Sequence, residues 1–372
     1  MTKYIYPALN NPPPSVTFSD QFAFRPTGST TSAIITILQT ITNLLDTEPY
    51  VRVIALDFSK AFDSIRHSSV LDQMSTMPIP DNIYNWVSNF LMERYHLTHF
   101  KGQTSCPKGT TASVVQGSAL GPCAYMIAAS ALRPVTPGND MDKFADDTYL
   151  IVPVSNDYSV ETELNHIEQW AESNNLKLNK SKTVEIIFRK PRSNPTLPPT
   201  LPSITRVDTI KILGVTLSSK FSVSSHVDST LVSCSQSLHA LRTLRTHGLP
   251  DPMIQTVFSS KVLSKITYCS PAWSGFANNN ELDRLDAFLR RSKKFGFCCS
   301  DVLSVREIYE KADDKLFKNV LSNHHHVLKP LLPPPITHNY NLRSRSHSLT
   351  LPVKTALSAL NYITRIVFKN SY

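Results

Sequence analysis

Two apolar runs in this sequence stop at aspartate, and that pairing constrains the fold more than any other feature. Val51 to Phe58 is rich in β-branched residues and reads as a buried strand with Asp57 near its end. Met141 to Val154 holds two short apolar runs that meet at Asp146 and Asp147, a β-hairpin with two carboxylates at its turn. A carboxylate beside buried residues must be solvated, paired or bound to a cation. Taken singly, a strand-end aspartate is ordinarily a turn cap and an Asp-Asp pair a polar turn. Asp57 and Asp146 lie 89 residues apart, however, which leaves room for a full crossover and lets the two strands be neighbours in one sheet. Converging without a cation, they would repel by about 4 kcal/mol at about 4 Å in a surface-like dielectric. A divalent ion removes that cost, and hard oxygens with no Cys or His in either motif suit Mg²⁺ or Mn²⁺ far better than zinc. Two ions bridged by carboxylates activate an attacking hydroxyl and stabilise a leaving oxygen in phosphoryl transfer, so these aspartates are expected within bridging distance of such a pair.

The remaining composition narrows the class. The 372 residues suffice for roughly two or three domains with a real core, and 41% hydrophobic with 18% charged residues excludes a mostly disordered chain. Lys and Arg number 38 against 29 Asp and Glu, and a net charge of +9 favours a polyanionic partner such as nucleic acid or an acidic membrane surface. Met1 to Ser15 does not read as a secretory signal, and the weakly polar stretch Ala119 to Leu132 is too short to span a bilayer. An intracellular protein of the cytoplasm or nucleus, neither secreted nor membrane-bound, is expected. The six cysteines contain no CxxC pair and are expected to be reduced. Gly102, Gly109, Gly117 and Gly121 cluster within one 20-residue stretch, a place where backbone shape matters.

Periodicity places helices at Thr30 to Leu45, after Asp81 (stripe Ile83, Trp86, Val87, Phe90, Leu91), at Gly121 to Leu132 and at Val160 to Asn174. Tyr95 to Val115 reads as a hairpin with Gly102 to Gly109 at its tip. Asn175 to Phe188 reads as a turn and a strand, the five prolines from Pro191 to Pro202 as an extended loop, and Val207 to Leu217 as strand. From His226 to about Phe297 the period is helical, broken at Gly248–Pro250 and Asn278–Asn280, which predicts three helices of a small bundle. Beyond Pro330 a basic tail with Arg343, Arg345, Lys354, Arg365 and Lys369 is a candidate polyanion contact.

Asp57-Phe-Ser-Lys-Ala-Phe-Asp63, Gln116-Gly-Ser-Ala-Leu-Gly-Pro122 and Phe144-Ala-Asp-Asp147, in that order and spacing, resemble the palm motifs of reverse transcriptases, those of non-LTR (LINE-like) retrotransposons above all. Gln21-Phe-Ala-Phe-Arg-Pro-Thr-Gly-Ser-Thr30, Asn175-Leu-Lys-Leu-Asn-Lys-Ser-Lys-Thr183 and Lys211-Ile-Leu-Gly-Val215 match further segments, and Ile363-Thr-Arg-Ile-Val367 resembles the tail of such elements. The resemblance implies an α+β right-hand polymerase with an antiparallel palm sheet and an α-helical thumb: residual fingers over 1–52, palm over 53–218, thumb over 219–329 and a basic, Pro-rich tail over 330–372. It implies RNA-directed DNA synthesis with an RNA template, a DNA primer and deoxynucleoside triphosphates as partners and two Mg²⁺ or Mn²⁺ ions as cofactor.

Roles follow where the motif residue is present. Asp57, Asp146 and Asp147 are implied as catalytic carboxylates and metal ligands, with Phe58 adding a backbone carbonyl and Lys182 standing near the leaving pyrophosphate. Arg25, Phe62, Gln116 and Gly117 are implied to bind the nucleotide: Arg25 at the triphosphate, Phe62 as the ring that blocks a ribose 2′-hydroxyl, and Gln116 and Gly117 against nucleotide and template. Leu213 and Gly214 are implied to form a primer-grip hairpin, and Phe62 is expected to face the nucleotide cavity and not the core. The chain departs from the pattern in two ways: it begins just before the Gln21 motif, as expected of an N-terminally truncated copy with no nuclease segment, and Ser29 follows Gly28 where an Arg is usual. The rival readings are an inactive relic that still binds nucleic acid and an RNA-dependent RNA polymerase, the second opposed by Phe62. Protein partners are not indicated by the sequence. His324 to His326 and Cys298–Cys299 lack metal-ligand spacing and are set aside.

Overall fold

The computed structural model describes residues 3–13, 16–114, 118–336 and 347–371. In chain order, α1 (Ile5–Asn10) and α2 (Thr30–Thr47) precede strand β1 (Tyr50–Leu56). Three helices follow, α3 (Ala61–Ser64), α4 (His67–Ser75) and α5 (Asp81–Leu91). Four short strands come next: β2 (Arg94–His96), β3 (His99–Phe100), β4 (Gln103–Thr104) and β5 (Lys108–Thr110). Helix α6 (Gly121–Ala129) leads to β6 (Asp140–Phe144), β7 (Asp147–Pro153), α7 (Val160–Ser173), β8 (Val184–Arg189) and β9 (Thr205–Arg206). The hairpin of β10 (Thr209–Ile212) and β11 (Val215–Ser218) opens a helical stretch: α8 (Ser224–Thr246), α9 (Asp251–Phe258), α10 (Ser264–Thr267), α11 (Ser270–Trp273), α12 (Asn279–Lys294), α13 (Val305–Ser322) and α14 (Tyr362–Lys369).

The chain divides into two units, residues 1–29, 51–185 and 197–206 in one and 30–50, 186–196 and 207–372 in the other. In the first, β6, β7, β1 from Val51, Val184 and Glu185 of β8, and β9 form a sheet in the order β6-β7-β1-β8-β9. β1 is buried at nearly every position, as a β-branched strand covered on both faces must be, and pairs antiparallel with β7. β6 closes antiparallel on β7, while the short edge pair β8–β9 is parallel. Against the sheet lies one apolar core that gathers Ile54 and Leu56 of β1, Leu150 and Val152 of β7, the whole of α6 from Cys123 to Ala129, and Ile167 of α7. The α+β class and the Asp57 and Asp146 strands as sheet neighbours are thus both present.

The hairpin after α5 spans Arg94 to Thr110, with Lys101 (φ 48°) and Gly102 (φ 77°) at its tip. Two consecutive left-handed residues make the primed turn whose twist matches antiparallel strands. Gly109, expected at the tip, instead faces Tyr95 in the return arm.

In the second unit the buried face of α2 packs on α11, which also meets α13. The three expected bundle helices become more, because Pro271 lacks the amide N–H a continuing helix needs. The chain turns at Cys269 (φ 51°) and restarts as α11. The tail also differs from a solvated basic arm. α14 buries Tyr362, Ile363, Ile366 and Val367, while Arg365 pairs with Asp313 and Lys369 with Asp314. An apolar stripe in the basic tail outweighs its charge. Arg343 and Arg345 lie outside the described residues. All six cysteines are free, and among the described residues no helix is long and apolar enough to cross a membrane.

His226 in α8 gives this unit a titratable core position. Its ring lies edge-on to Trp273 at 4.8 Å, and its Nε2 is buried without a partner among the described residues. Burial, helped by the charge of Lys211, lowers its pKa to about 4 from 6.5. An unfolded chain therefore takes up a proton between those values that the folded one refuses. The contribution of His226 to stability is expected to be full above about pH 6.5 and to be lost as pH drops toward 4, with His226→Phe removing that part of the pH dependence in urea melts.

Candidate active site

The β1–β7 register pairs Leu56 with Thr148, so one further step along each strand sets Asp57 beside Asp147. Phe144 pairs with Asp147, which leaves Ala145 and Asp146 as the two-residue turn between β6 and β7. Ala145 is left-handed (φ 58°), a conformation that costs a non-glycine residue energy and needs support. Gln21 supplies it: its buried Oε1 accepts from the amides of both Ala145 and Ala23 at 3.0 Å. The Phe22 amide donates to the Lys143 carbonyl at 2.9 Å, so the segment around Gln21 runs as an extra edge beside β6. Lys143 is itself buried, with Nζ donating to the Ala129 and Leu132 carbonyls and paired with Asp20 at 2.8 Å. Gln21 thus holds the Asp146 turn, a role its place in a motif does not disclose.

The Asp57 side is held by the backbone. The Asp57 carbonyl accepts from the Asn179 amide at 2.8 Å and its amide donates to Thr183 Oγ1 at 3.3 Å. Ser59 N–H reaches the Lys177 carbonyl, and Phe58 bridges Leu178 with its ring edge on Trp170. The segment from Asn175 to Thr183 therefore lies along Asp57 to Ser59. Lys182, in the turn that closes this segment, is exposed. Partial burial and the negative charge of Asp57 hold Asp146 above the usual carboxylate range, although its own backbone offsets part of the shift. Burial and the charges of Asp146 and Asp57 raise Asp147 in the same way. The three aspartates thus share one electrostatic environment.

Phe62 is half-buried, its ring stacked on Tyr125 at 4.5 Å and edge-on to Phe24 at 6.4 Å. It packs against the core on one side, in contrast to the expectation of a ring clear of it, because its carbonyl is bonded to the Val114 amide and α6 lies beneath. Sequence patterning does not single out Tyr125: burial, then the charges of Asp146 and Asp147, push its hydroxyl pKa up. Tyr125 thus stacks on Phe62 and lies within the electrostatic reach of Asp146 and Asp147. Arg25 donates Nη1 to the Phe18 and Gln21 carbonyls, and its burial lowers its pKa against the opposing pull of Asp20. Gly28 closes this loop, since a Cβ there would stand 2.0 Å from the Phe22 carbonyl oxygen. Gln116 and Gly117 lie outside the described residues.

In the second unit Leu213 (φ 45°) and Gly214 (φ 92°) form the two-residue turn of the β10–β11 hairpin. Tyr268 Oη donates to the Leu213 carbonyl at 2.9 Å, and a Cβ on Gly214 would meet the Tyr268 ring at 2.9 Å. A groove of about 800 Å³ beside this hairpin is lined by Lys211, Lys261, Lys265 and serines of α8 and of the helical stretch that continues α9 into α10, with no carboxylate among the described residues.

Among the described residues no three His, Cys, Asp or Glu side chains are gathered closely enough to form a ready chelating cluster. The carboxylates nonetheless fit a divalent ion. They offer only hard oxygens, and the raised pKa values of Asp146 and Asp147 come from burial first and then from repulsion between neighbouring carboxylates, which a cation would relieve.

Carboxylates carried to the ends of adjacent antiparallel strands offer hard oxygens from two strands to one place. Residues 1–217 match the family described as reverse transcriptase (RNA-dependent DNA polymerase), and the chain belongs to that family. It is 28% identical over 219 residues to the RNA-directed DNA polymerase from mobile element jockey of Drosophila melanogaster, a match that covers 56% of this chain and 24% of that protein. It is 25% identical over 238 residues to the probable RNA-directed DNA polymerase from transposon BS of the same organism, covering 60% and 26%. The chain thus spans about a quarter of the length of these relatives. Among solved structures, apo telomerase from Candida tropicalis is similar with a TM-score of 0.47 and 13% identity over 87% of this chain and 54% of that one.

Proposed function

We propose that this chain is the polymerase part of a retrotransposon reverse transcriptase, which extends a DNA primer on an RNA template with deoxynucleoside triphosphates. The observation that carries the reading is the β1–β7 register, which sets Asp57 beside Asp147 with Asp146 in the adjoining turn. Asp57, Asp146 and Asp147 would hold two Mg²⁺ or Mn²⁺ ions, with the Phe58 carbonyl as a further oxygen. When bound, such ions would supply activation of the primer 3′-hydroxyl and a counter-charge for the leaving pyrophosphate. Lys182, exposed in the turn tied to Asp57, offers a cation to that pyrophosphate. Arg25 orders the loop from Phe18 to Gly28 and offers the rest of its guanidinium to the triphosphate. Gln116 and Gly117 complete the nucleotide contacts by resemblance. Leu213 and Gly214 would guide the primer end, and the lysines of the adjoining groove would meet its phosphates.

Phe62, held by Tyr125, is the residue that separates deoxy- from ribonucleotides. Primer extension on an RNA template with Mg²⁺ or Mn²⁺ tests the whole reading. The chain is expected to incorporate deoxynucleotides and reject ribonucleotides, and Phe62→Val to admit ribonucleotides while deoxynucleotide use changes little. Incorporation of ribonucleotides alone would favour an RNA polymerase, and no incorporation with intact nucleic-acid binding would favour a relic.

A further inference from the structure

The hairpin from Arg94 to Thr110 takes no part in the site described above, yet it has an unusual surface. Every residue from Tyr95 to Gly109 is exposed, including two large rings: Tyr95 at 69% and Phe100 at 68%. A two-stranded hairpin standing in water is only marginally stable by itself, and exposed rings are a liability for aggregation unless something covers them. Here the frame is nevertheless well defined. The primed turn at Lys101–Gly102 sets one end of the register. Thr98 and Ser105 are bonded through both backbone and side chain, and His99 Nδ1 lies 2.7 Å from Thr104 Oγ1. Between the two paired segments Leu97-Thr98 faces Ser105-Cys106-Pro107, a one-residue bulge that adds twist. The rings are therefore presented on an ordered support.

The charge of this support decides what can cover it. Arg94, Lys101 and Lys108 are cationic, and no Asp or Glu occurs between Glu93 and Asp140. Lys101 Nζ stands over the Phe100 ring, 5.4 Å from its centroid, so a cation caps one side of a ring that is otherwise largely exposed. An uncharged bilayer or an apolar protein surface would use the rings and leave the cations unmatched. A double helix would use the cations and leave the rings without a partner, since its bases are already stacked. A single polynucleotide strand uses both, because its bases stack on aromatic faces and its phosphates take the cations.

We propose that this hairpin is a binding site for single-stranded nucleic acid, with Tyr95 and Phe100 as stacking platforms. The assignment adds a strand-binding surface to the polymerase reading and rests on that reading only for the presence of nucleic acid. Unpaired RNA of the template and unpaired DNA share the chemistry, and separate probes distinguish them.

The test uses the full chain and fluorescence anisotropy with short labelled single-stranded RNA, single-stranded DNA, blunt duplex and abasic strands. The paired substitution Tyr95→Ala with Phe100→Ala is expected to lower single-strand affinity at least ten-fold, since one base–aromatic stack is worth roughly five-fold to a hundred-fold. Duplex affinity should change less than two-fold, roughly the scatter of such a measurement, and the preference of the parent for base-bearing over abasic strands should disappear. Tyr95→Phe with Phe100→Tyr keeps both rings and should keep the affinity. A larger loss on RNA than on DNA assigns the hairpin to the template, and the reverse assigns it to unpaired DNA. Unchanged single-strand affinity, or an equal loss on duplex and abasic strands, overturns the proposal and leaves the surface to a protein. Single-nucleotide extension on a template with a minimal overhang is measured alongside. Failure of the parent chain to extend it would count against the polymerase reading, whereas the comparison of strands judges the hairpin independently.

Discussion

Asp57→Asn is expected to lower nucleotide incorporation roughly 10³-fold or more while leaving the fold intact. The position is fixed by backbone: the carbonyl receives the Asn179 amide and the amide reaches Thr183, and neither bond involves the carboxylate. Asparagine keeps the volume and those bonds, and removes only a negative charge. In a site whose proposed work is to hold cations against a triphosphate, that charge acts on the transition state far more than on the folded chain. Asp146→Asn should cost a similar factor, since Asp146 sits in the turn that Gln21 holds. The double substitution should cost little more than either alone, because groups that act as one unit lose their function together. Single-turnover extension with saturating deoxynucleotide, next to urea melts of the same proteins, checks both halves. Equal activity of Asp57→Asn and the parent would remove the carboxylates from the chemistry.

The carboxylates were legible because aspartate at the end of an apolar strand is a conspicuous departure from ordinary patterning, and the register then brought the two strands together as expected. Gln21 was legible only as part of a motif. Nothing in a single sequence says that a glutamine amide will bond to Ala145, 124 residues away, and that is what holds the turn. Tyr125 was hidden by its surroundings: within an almost wholly apolar helix an aromatic residue reads as core, and only the fold reveals that Asp146 and Asp147 stand near it. The tail misled for the opposite reason, as its net positive charge drew attention from the stripe that buries α14. Local pattern specified the elements. Pairing between distant polar groups, which depends on topology, did not show.

Glu185 is such a case, and Glu185→Ala is expected to destabilise the first unit by about 3–5 kcal/mol. Its side chain is fully buried between two arginines, bonded to Arg52 Nη1 through one oxygen and to Arg206 Nε at 2.6 Å through the other. Arg52 is 2% exposed and also holds Asp157 through Nε at 2.8 Å. Removing the central carboxylate leaves a buried guanidinium with one partner, and the penalty is that of a charge short of compensation in a medium that solvates it poorly. Arg206→Ala should cost much less, near ~1 kcal/mol by the usual scale for a partly solvated pair, because Glu185 keeps Arg52. Replacing Arg52 with Met and Glu185 with Leu together should recover much of the loss, since a buried ion set can be exchanged for well-packed apolar groups at little net cost. Trp86 and Trp170 report on this unit and Trp273 on the other, so urea melts in a Trp273→Phe background separate the two. The same residues bear on activity. Glu185 lies at the start of β8, the strand beside β1, and two residues after the Thr183 hydroxyl that meets Asp57. Loosening that strand should displace Asp57, so the Ala variant should lose incorporation even where it remains folded, and the apolar pair should restore both. Recovery of stability without recovery of activity would mean that the charges themselves, and not only the rigidity they give the sheet, are needed.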